Sequence, residues 1–294
     1  MNHVTFGAIE AGGTKFVVAV ADVNDPDTVI ARESFPTLDG AGTLAQVIAF
    51  FDQYEDIAAI GIAAFGPIDI NPDSRTYGYV LDTPKRGWSG YDFLGAMKAW
   101  RDIPYFWTTD VNGAGWSEYV SGAAADVENV VYLTVGTGVG AGIIQHGHLL
   151  SGNSHPEAGH IMMRKHPQDN YAGHCPFHGD ACLEGLAAGP AIEDRWHESA
   201  KSLPDDHLAW EIEAYYLAQA AVTYTVTLRP DRIVFGGGVP HREVLLPMVR
   251  KAFAEQLADY LPVDDLDKYI VTVGNGDNAG VLGCFYLAKS LLAA

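Results

Sequence analysis

The segment 155–184 is rich in side chains able to bind a metal or a polar ligand, and six of them stand out. In order they are Glu157, His160, Cys175, His178, Cys182 and Glu184. Two imidazoles and two thiols form the closed tetrahedral set that structural zinc prefers, and Cys175-x-x-His178 supplies a closely spaced ligand pair. The sequence therefore predicts a structural Zn²⁺ bound by His160, Cys175, His178 and Cys182, with His155 and His174 as reserve ligands.

The two carboxylates interleaved with these ligands have a separate predicted role. A zinc ion bound by two histidines and two cysteines is saturated, so Glu157 and Glu184 are left for a polar ligand such as a polyol. His160 can serve both, because a metal on one ring nitrogen fixes the tautomer and leaves the other nitrogen for a ligand.

Two other interpretations of the cysteines are open. Cys175 and Cys182 can form a disulfide, or they can be buried cysteines unrelated to surface histidines. The polar opening Met-Asn-His and the lack of a long apolar run indicate no signal peptide and no membrane span. We therefore expect a cytoplasmic protein, in which a reducing environment disfavours the disulfide.

Composition excludes several classes of partner. The chain has 294 residues, 48% of them hydrophobic, which suffices for two lobes with their own cores. Its 18 Lys+Arg against 37 Asp+Glu give a formal charge of -19, which argues against nucleic acid and anionic membranes. An anionic substrate remains compatible if backbone N–H groups, a divalent cation or one positioned lysine bind it.

The first half of the chain begins with a predicted β-hairpin. Strands are expected over 4–9 and 16–23, joined by the glycine turn Glu10-Ala-Gly-Gly-Thr-Lys15. A third strand over 29–35 and a helix over 43–54 follow. A buried strand over 58–64 then leads into Phe65-Gly66-Pro67.

The second half repeats the combination of strand, glycine turn and strand. An apolar strand over 129–135 is followed by the glycine-rich run Gly136–Gly142 and a strand at Ile143 and Ile144. Helices are predicted over 191–200, 208–228 and 243–260, a short strand over 233–235, another over 269–273, and a final apolar helix through Leu292.

Three glycine turns, at 10–15, 136–142 and 236–238, each follow a predicted strand. Such a set is typical of a nucleoside triphosphate site without a P-loop. Glycine lets backbone N–H groups approach phosphate oxygens closely. None of the turns matches the P-loop or dinucleotide fingerprint. One such turn alone is explained equally well by hairpin geometry, whereas three are stronger evidence.

Several motifs together resemble the ROK family of sugar kinases, most closely its bacterial fructokinases. They are Glu10–Lys15, Thr109–Asn112, Gly136–Gly140, His155–His160, His174–Gly179, Cys182–Glu184 and Gly236–Gly238. Thr109-Asp110 and the Cys175–Gly179 run differ from glucokinase-like members and fit the fructokinase branch. Glu10 stands where many actin-like ATPases have Asp, and Lys15 is not a Walker lysine.

The resemblance implies a two-lobed actin-like ATPase fold of the α/β class, with a zinc-binding loop. We expect a small lobe over 1–111 and a large lobe over 112–294, with the terminal helix able to pack back on the small lobe. ATP with Mg²⁺, a hexose and a homodimeric state are implied as well. The residues expected at the nucleotide are Gly12, Gly13, Thr14, Lys15, Gly136, Thr137, Gly138, Gly189, Pro190, Gly236, Gly237 and Gly238.

Phosphoryl transfer to a sugar needs a carboxylate that accepts the proton of the attacking hydroxyl. The resemblance assigns this role to Asp110, which follows a strand predicted over 105–109. The structural alternative is that Asp110 caps the helix beginning near Gly113. Asn112 and Glu118 are expected to be structural.

A neutral hexose is recognised through its hydroxyls, so several polar groups must converge on it. The candidates are Gly66, Thr109, Asp110, Glu157, His160 and Glu184. Fructose is the expected sugar, with mannose, glucose or an N-acyl amino sugar as alternatives. A non-catalytic sugar sensor of the same family is the alternative from another class, disfavoured because we see no room for an N-terminal helix-turn-helix before residue 10.

Overall fold

The computed structural model describes residues 4–292. Its first elements are β1 (Thr5–Ala11), β2 (Lys15–Asp22), β3 (Asp25–Pro36), α1 (Gly40–Phe51), β4 (Ile57–Ala64), β5 (Tyr79–Val80), β6 (Tyr91–Asp92), α2 (Phe93–Trp100), β7 (Tyr105–Thr109) and α3 (Asp110–Val120). They are followed by β8 (Val130–Val135), β9 (Val139–Gln145), β10 (His148–Leu149), α4 (Leu183–Ala187), α5 (Gly189–Trp196), α6 (Leu208–Leu228), β11 (Arg232–Gly236), α7 (Leu245–Leu257), α8 (Leu266–Tyr269), β12 (Ile270–Thr272) and α9 (Ala279–Ser290). Short 3₁₀ helices cover Ala158–His160 and Gly276–Asn278.

The chain divides into two compact units. The first contains residues up to Val120, the short stretch Ser151–His155 and the chain from Asp277 onward. The second contains Ser121–Leu150 and Pro156–Gly276. This division differs from the expected boundary at residue 111, which falls inside α3. Helix α3 packs on α9, and α9 packs on β1 and β4, so both helices belong to the first unit.

The first unit is built on a five-stranded sheet of order β3-β2-β1-β4-β7. The hairpin β1–β2 and the pair β2–β3 are antiparallel, whereas β1–β4 and β4–β7 are parallel. In the parallel pairs Ala11 lies beside Ala64, and Ala64 lies beside Thr109. The carboxyl ends of β1, β4 and β7 therefore meet at one edge of the sheet.

The second unit repeats this order of strands. Its sheet runs β10-β9-β8-β11-β12, with β8–β9 and β9–β10 antiparallel and β8–β11 and β11–β12 parallel. Strand β9 is longer than the expected strand at 143–144. Gly140 and Gly142 pair with Thr134 and Tyr132 in the ladder, so the turn is confined to 136–138. A glycine in a strand ladder lets another backbone approach closely.

Each unit has its own apolar core. In the first, an aromatic cluster surrounds Trp88, whose ring stacks on Phe16 and meets Phe65 edge-on. In the second, α6 is buried along most of its length against the sheet and α7. The observed bounds of β7 and α6 equal the expected 105–109 and 208–228. Within residues 4–292, no helix is long and apolar enough to span a bilayer.

Candidate functional site

Three predicted site motifs lie at the same edge of the first sheet. The turn Gly12–Lys15 follows β1, Gly66 is the second residue after β4, and Asp110 follows β7 directly. The backbone N–H of Phe65 donates to Ala11 O at 2.8 Å, which holds the first two motifs side by side. Parallel strands thus bring together residues that are far apart in sequence.

Asp110 is the first residue of α3 and is half-buried. Its Oδ1 accepts a hydrogen bond from the next backbone N–H, Val111, at 2.8 Å. The helix-capping bond to the N–H of Asn112 comes from Thr109 Oγ1 at 3.2 Å. Thr109 therefore caps α3, and capping does not require the Asp110 carboxylate.

The predicted structural residues of α3 lie in the interior. Asn112 and Glu118 are 1% and 0% exposed. The amide of Asn112 donates to Thr108 Oγ1 at 3.0 Å and so ties the helix to the end of β7. These contacts fix the backbone on both sides of Asp110.

Glu10 packs against the start of α9. A Cβ placed on Gly280 would lie 2.5 Å from Glu10 Cδ, so the carboxyl group occupies the space that this glycine leaves. Burial raises the pKa of Glu10, while the charges of Arg32 and Lys15 lower it. The side chain that replaces the usual Asp is thus in contact with a helix of its own unit.

The predicted nucleotide residues of the second unit converge at one edge of its sheet. The turn Gly136–Gly138 follows β8, and Gly237 and Gly238 follow the neighbouring parallel strand β11. Gly189, the first residue of α5, donates its N–H to Gly136 O at 2.7 Å. Two glycine turns and the N-terminus of α5, with Pro190 in its first turn, therefore meet at this edge of the sheet.

The four predicted zinc ligands form a cluster. Their ligand atoms all lie within 4.8 Å of one another. Cys175 Sγ is 3.9 Å from His160 Nδ1 and 3.7 Å from His178 Nδ1, and Cys182 Sγ is 3.7 Å from His160 Nδ1. Zinc bonds of the usual length at tetrahedral angles separate sulfur from nitrogen by about 3.6 Å. The donor set and its spacing fit zinc, and neither reserve histidine belongs to the cluster.

Close backbone packing shapes the segment 173–185, which carries three of the four ligands, Cys175, His178 and Cys182. Gly173 and Gly179 have φ angles of 86° and 54°. A Cβ on Gly173 would lie 2.1 Å from the carbonyl of Gly179, and one on Gly185 would meet the same oxygen at 2.1 Å. Glycine is required at such approaches, so the ligands are spaced by a compact knuckle.

The cluster is electrostatically suited to a cation. The three cysteines of the chain are free thiols, so the disulfide alternative is not what the structure contains. Burial, with the neighbouring Cys175 and Glu184, raises the pKa of Cys182 to about 11, while the N–H of Gly185 at 3.4 Å opposes the shift. A bound cation would reverse this preference for the neutral thiol.

Glu184 connects the cluster to the glycine turn of the second unit. Its Oε2 accepts from the N–H of Val139 at 3.0 Å, and its Oε1 lies 3.8 Å from His160 Nε2. A Cβ on Gly138 would meet Oε2 at 2.7 Å. Glu157 lies on the exposed surface before the 3₁₀ turn that contains His160. The structure thus brings His160 and Glu184 together. Nδ1 of His160 faces the sulfur atoms of Cys175 and Cys182, and Nε2 faces Glu184.

A buried ion pair near α5 was not predicted from the sequence. Arg195, on α5, lies 3.1 Å from Asp169 and donates to Leu186 O at 2.7 Å. Tyr216 donates to Oδ2 of Asp169 at 2.6 Å, the same oxygen that pairs with Arg195. The pair fixes the helix whose N-terminus carries Gly189. Its residues are distant in sequence and follow no motif, so only tertiary structure reveals it.

Comparison with known proteins agrees with this arrangement. A family model described as ROK matches residues 6–291. The chain belongs to the ROK family. The ROK chain is 46% identical over 286 residues to a fructokinase from Pediococcus pentosaceus, covering 97% of this chain and 98% of that protein. It is also 46% identical over 293 residues to a fructokinase from Streptococcus mutans, covering 98% of both.

Among solved structures, the ROK hexokinase from Thermus thermophilus superposes with a TM-score of 0.81 at 23% identity and covers 99% of each chain. This likeness confirms the predicted α/β fold of the actin-like ATPase type. The ROK resemblance deduced from the motifs is confirmed as well.

Proposed function

We propose that this protein is an ATP-dependent fructokinase that transfers the γ-phosphoryl group of ATP to the 6-hydroxyl of fructose. The observation that carries the proposal is the 46% identity, over nearly the whole chain, to two proteins named fructokinase. The turns after β1, β4 and β7 in the first sheet and after β8 and β11 in the second lie at the carboxyl ends of strands, where open α/β folds bind ligands.

In the first unit, we assign the role of general base to Asp110. Its carboxylate accepts the proton of the attacking hydroxyl while the oxygen bonds to phosphorus and ADP leaves. The side chain emerges where β7 meets α3, a position fixed by the Thr109 cap and the Asn112–Thr108 bond. Thr109 and Gly66 are proposed to help orient the sugar from the adjacent strand ends.

Phosphate binding is assigned to backbone N–H groups. The turn Gly12–Lys15 and the turns Gly136–Gly138 and Gly236–Gly238 are assigned as the source of these groups. The N-terminus of α5, Gly189-Pro190, is assigned to the same role through its helix dipole, because Pro190 has no N–H and the N–H of Gly189 donates to Gly136 O. We take MgATP as the substrate, so that Mg²⁺ arrives as the counter-ion of the phosphates. Because the chain has a formal charge of -19, binding of a polyanion needs local positive groups such as these N–H dipoles and Mg²⁺.

In the second unit, Glu157, His160 and Glu184 are proposed to bind sugar hydroxyls. Zinc, when bound by His160, Cys175, His178 and Cys182, would cross-link the loop that carries them. His160 Nδ1 faces the sulfurs, which leaves Nε2 for a hydroxyl or for Glu184. Glu184 is fixed on its other side, because its Oε2 accepts from the N–H of Val139.

We further propose a cytoplasmic homodimer, on the basis of the family alone. Neither property enters the test of the activity.

The proposal is tested with a panel of hexoses. Initial rates with MgATP are measured for fructose, glucose, mannose and N-acetylmannosamine in a coupled assay for ADP. We expect kcat/KM to be highest for fructose by at least about tenfold, since a site built for specific hydroxyls leaves polar groups unpaired with the wrong sugar. A higher kcat/KM for another hexose would replace fructose in the proposal, and sugar binding without phosphorylation would make the protein a sensor.

A further inference from the structure

A lysine outside every predicted motif lies against the first glycine turn. A Cβ placed on Gly13 would be 3.0 Å from Lys85 Cε and 3.3 Å from Lys85 Nζ. The two residues are far apart in sequence but belong to the same unit. The ammonium group therefore covers the backbone of the turn that follows β1.

The loop that carries Lys85 is firmly anchored. Trp88, three residues later, is fully buried in the aromatic cluster, and its indole N–H donates to Leu38 O at 2.7 Å. The N–H of Trp88 donates to Lys85 O at 3.1 Å, and the N–H of Gly40 donates to Gly87 O at 3.2 Å. These contacts fix the backbone from which the lysine side chain extends.

The ammonium of Lys85 has no acidic partner among residues 4–292. Two acids of the surrounding loops have partners elsewhere, since Asp82 accepts from Ser89 at 3.0 Å and Asp39 accepts from the N–H of Gly42 at 2.7 Å. Yet the side chain is half-buried, although the residues on either side of it are exposed. A half-buried cation without a carboxylate is unusual on a chain with twice as many acids as bases.

The turn beneath the ammonium is also rich in donors. Gly12 bonds to Lys15 O, and the carbonyls of Gly12 and Thr14 accept from Thr37. The N–H groups of Gly13 and Thr14, in contrast, donate to no protein acceptor within the described chain. Two N–H dipoles and an ammonium group thus share one small region, an arrangement that favours an anion between them.

We propose that Lys85 is a phosphate-contacting residue that binds the phosphoryl group in transfer, together with the Gly12–Lys15 turn. The inference rests on the proposed kinase function and adds a residue to it. The turn lies at the same sheet edge as Asp110, so the phosphate that reaches it is the one next to the acceptor hydroxyl. A fixed cation there offsets the charge that spreads over the phosphoryl oxygens in the transition state.

The test compares Lys85→Met with Arg86→Met. Both substitutions remove one positive charge from the same loop, but Arg86 is exposed and does not contact the turn. We expect Lys85→Met to lower kcat by about 10²–10³-fold, the usual effect of removing one group that stabilises a developing charge. Arg86→Met should keep near-normal kcat, and Lys85→Arg should recover part of the loss. KM for the sugar and the thermal midpoint should change little in either variant.

Calorimetric titration provides a second readout that needs no sugar. Lys85→Met should weaken binding of MgATP, or of a non-hydrolysable analogue, at least about tenfold relative to MgADP, because only the triphosphate carries the group in transfer. Equal losses for MgATP and MgADP, or equal losses in Arg86→Met, would overturn the assignment. If wild-type protein phosphorylates a different hexose, the proposed sugar fails, and the same comparison is made with that hexose. If it binds MgATP without any transfer, the kinase proposal fails while the binding comparison still decides the role of Lys85.

Discussion

Replacing the Asp110 carboxylate by an amide tests the proposed mechanism directly. Asp110→Asn keeps the size of the side chain but removes the group that accepts a proton, so kcat should fall by about 10²–10⁴-fold with little change in fructose affinity. The check is steady-state kinetics with calorimetric measurement of fructose binding. Asp102→Asn is the control, because this exposed Asp precedes the other end of β7. Near-normal kcat in folded Asp110→Asn would remove Asp110 from the role of base.

Glu213 gives a prediction about pH and stability. It is 1% exposed on α6, and neither carboxylate oxygen has a hydrogen-bond partner within residues 4–292. Burial raises the pKa of Glu213 well above its ordinary 4.5, although Arg195 opposes the shift. The unfolded chain therefore releases this proton at a lower pH than the folded chain does. As pH rises above 4.5 the group contributes a progressive loss of stability.

Glu213→Gln removes that loss. We expect the free energy of unfolding of the variant, relative to wild type, to rise with pH above 4.5 by up to about 1.4 kcal/mol per pH unit. Urea denaturation at several pH values measures it. Glu211→Gln, an exposed position on the same helix, should show no such slope. A difference between Glu213→Gln and wild type that stays constant with pH would contradict the prediction.

At the scale of elements, the knuckle over 173–185 should depend on its metal. We expect purified protein to contain about one zinc per chain, and removal by a chelator should lower both the thermal midpoint and fructose affinity. Cys175→Ser should lose the metal. Cys284→Ser should retain it, because this cysteine is buried against β1 in the other unit and donates to Ile9 O. Active protein free of zinc would rule out the site.

The contact between α3 and α9 leads to a prediction about packing. A Cβ on Gly283 would lie 1.8 Å from Gly113 O, so the two helices approach at a pair of glycines. Gly283→Ala must push them apart, and we expect a loss of at least about 1–3 kcal/mol in the free energy of unfolding. Gly152→Ala places its methyl group in open space and serves as the control. Equal stability of the two variants, measured by urea denaturation, would show that the helices separate at no cost.

Local signals predicted some elements well and others poorly. Pro230 indicated where α6 ends, since the effect of a proline on a helix is a property of the chain itself. The glycine-rich run 136–142 was expected to be a turn throughout. Part of it is strand β9, because pairing with β8 decides the conformation of Gly140 and Gly142. Lys85 carries no local signal at all, as its place beside Gly13 depends on the burial of Trp88.

On the scale of the whole molecule, the fold was predicted through the family resemblance that the motifs carry, and four of these motifs, Glu10–Lys15, Thr109–Asn112, Gly136–Gly140 and Gly236–Gly238, lie at the ends of strands. The shared strand order of the two sheets could not be deduced from them, since it depends on which strands pair. The boundary expected at residue 111 falls inside α3, and the structure assigns this helix to the first unit because α3 packs on α9. Sequence alone does not show this packing, which joins residues separated by most of the chain.

The position of α9 also determines the order in which a ribosome can complete the two units. Residues 121–276 contain the strands and helices of the second unit. The first unit, in contrast, lacks the helix that covers one apolar face of its sheet until residues 279–290 have been synthesised. Ala8, Val17 and Ala59 of the nascent N-terminal sheet therefore stay uncovered while the second unit is synthesised. We expect such an exposed surface to bind chaperones during synthesis, so that the half of the protein made first is the last to become protease-resistant.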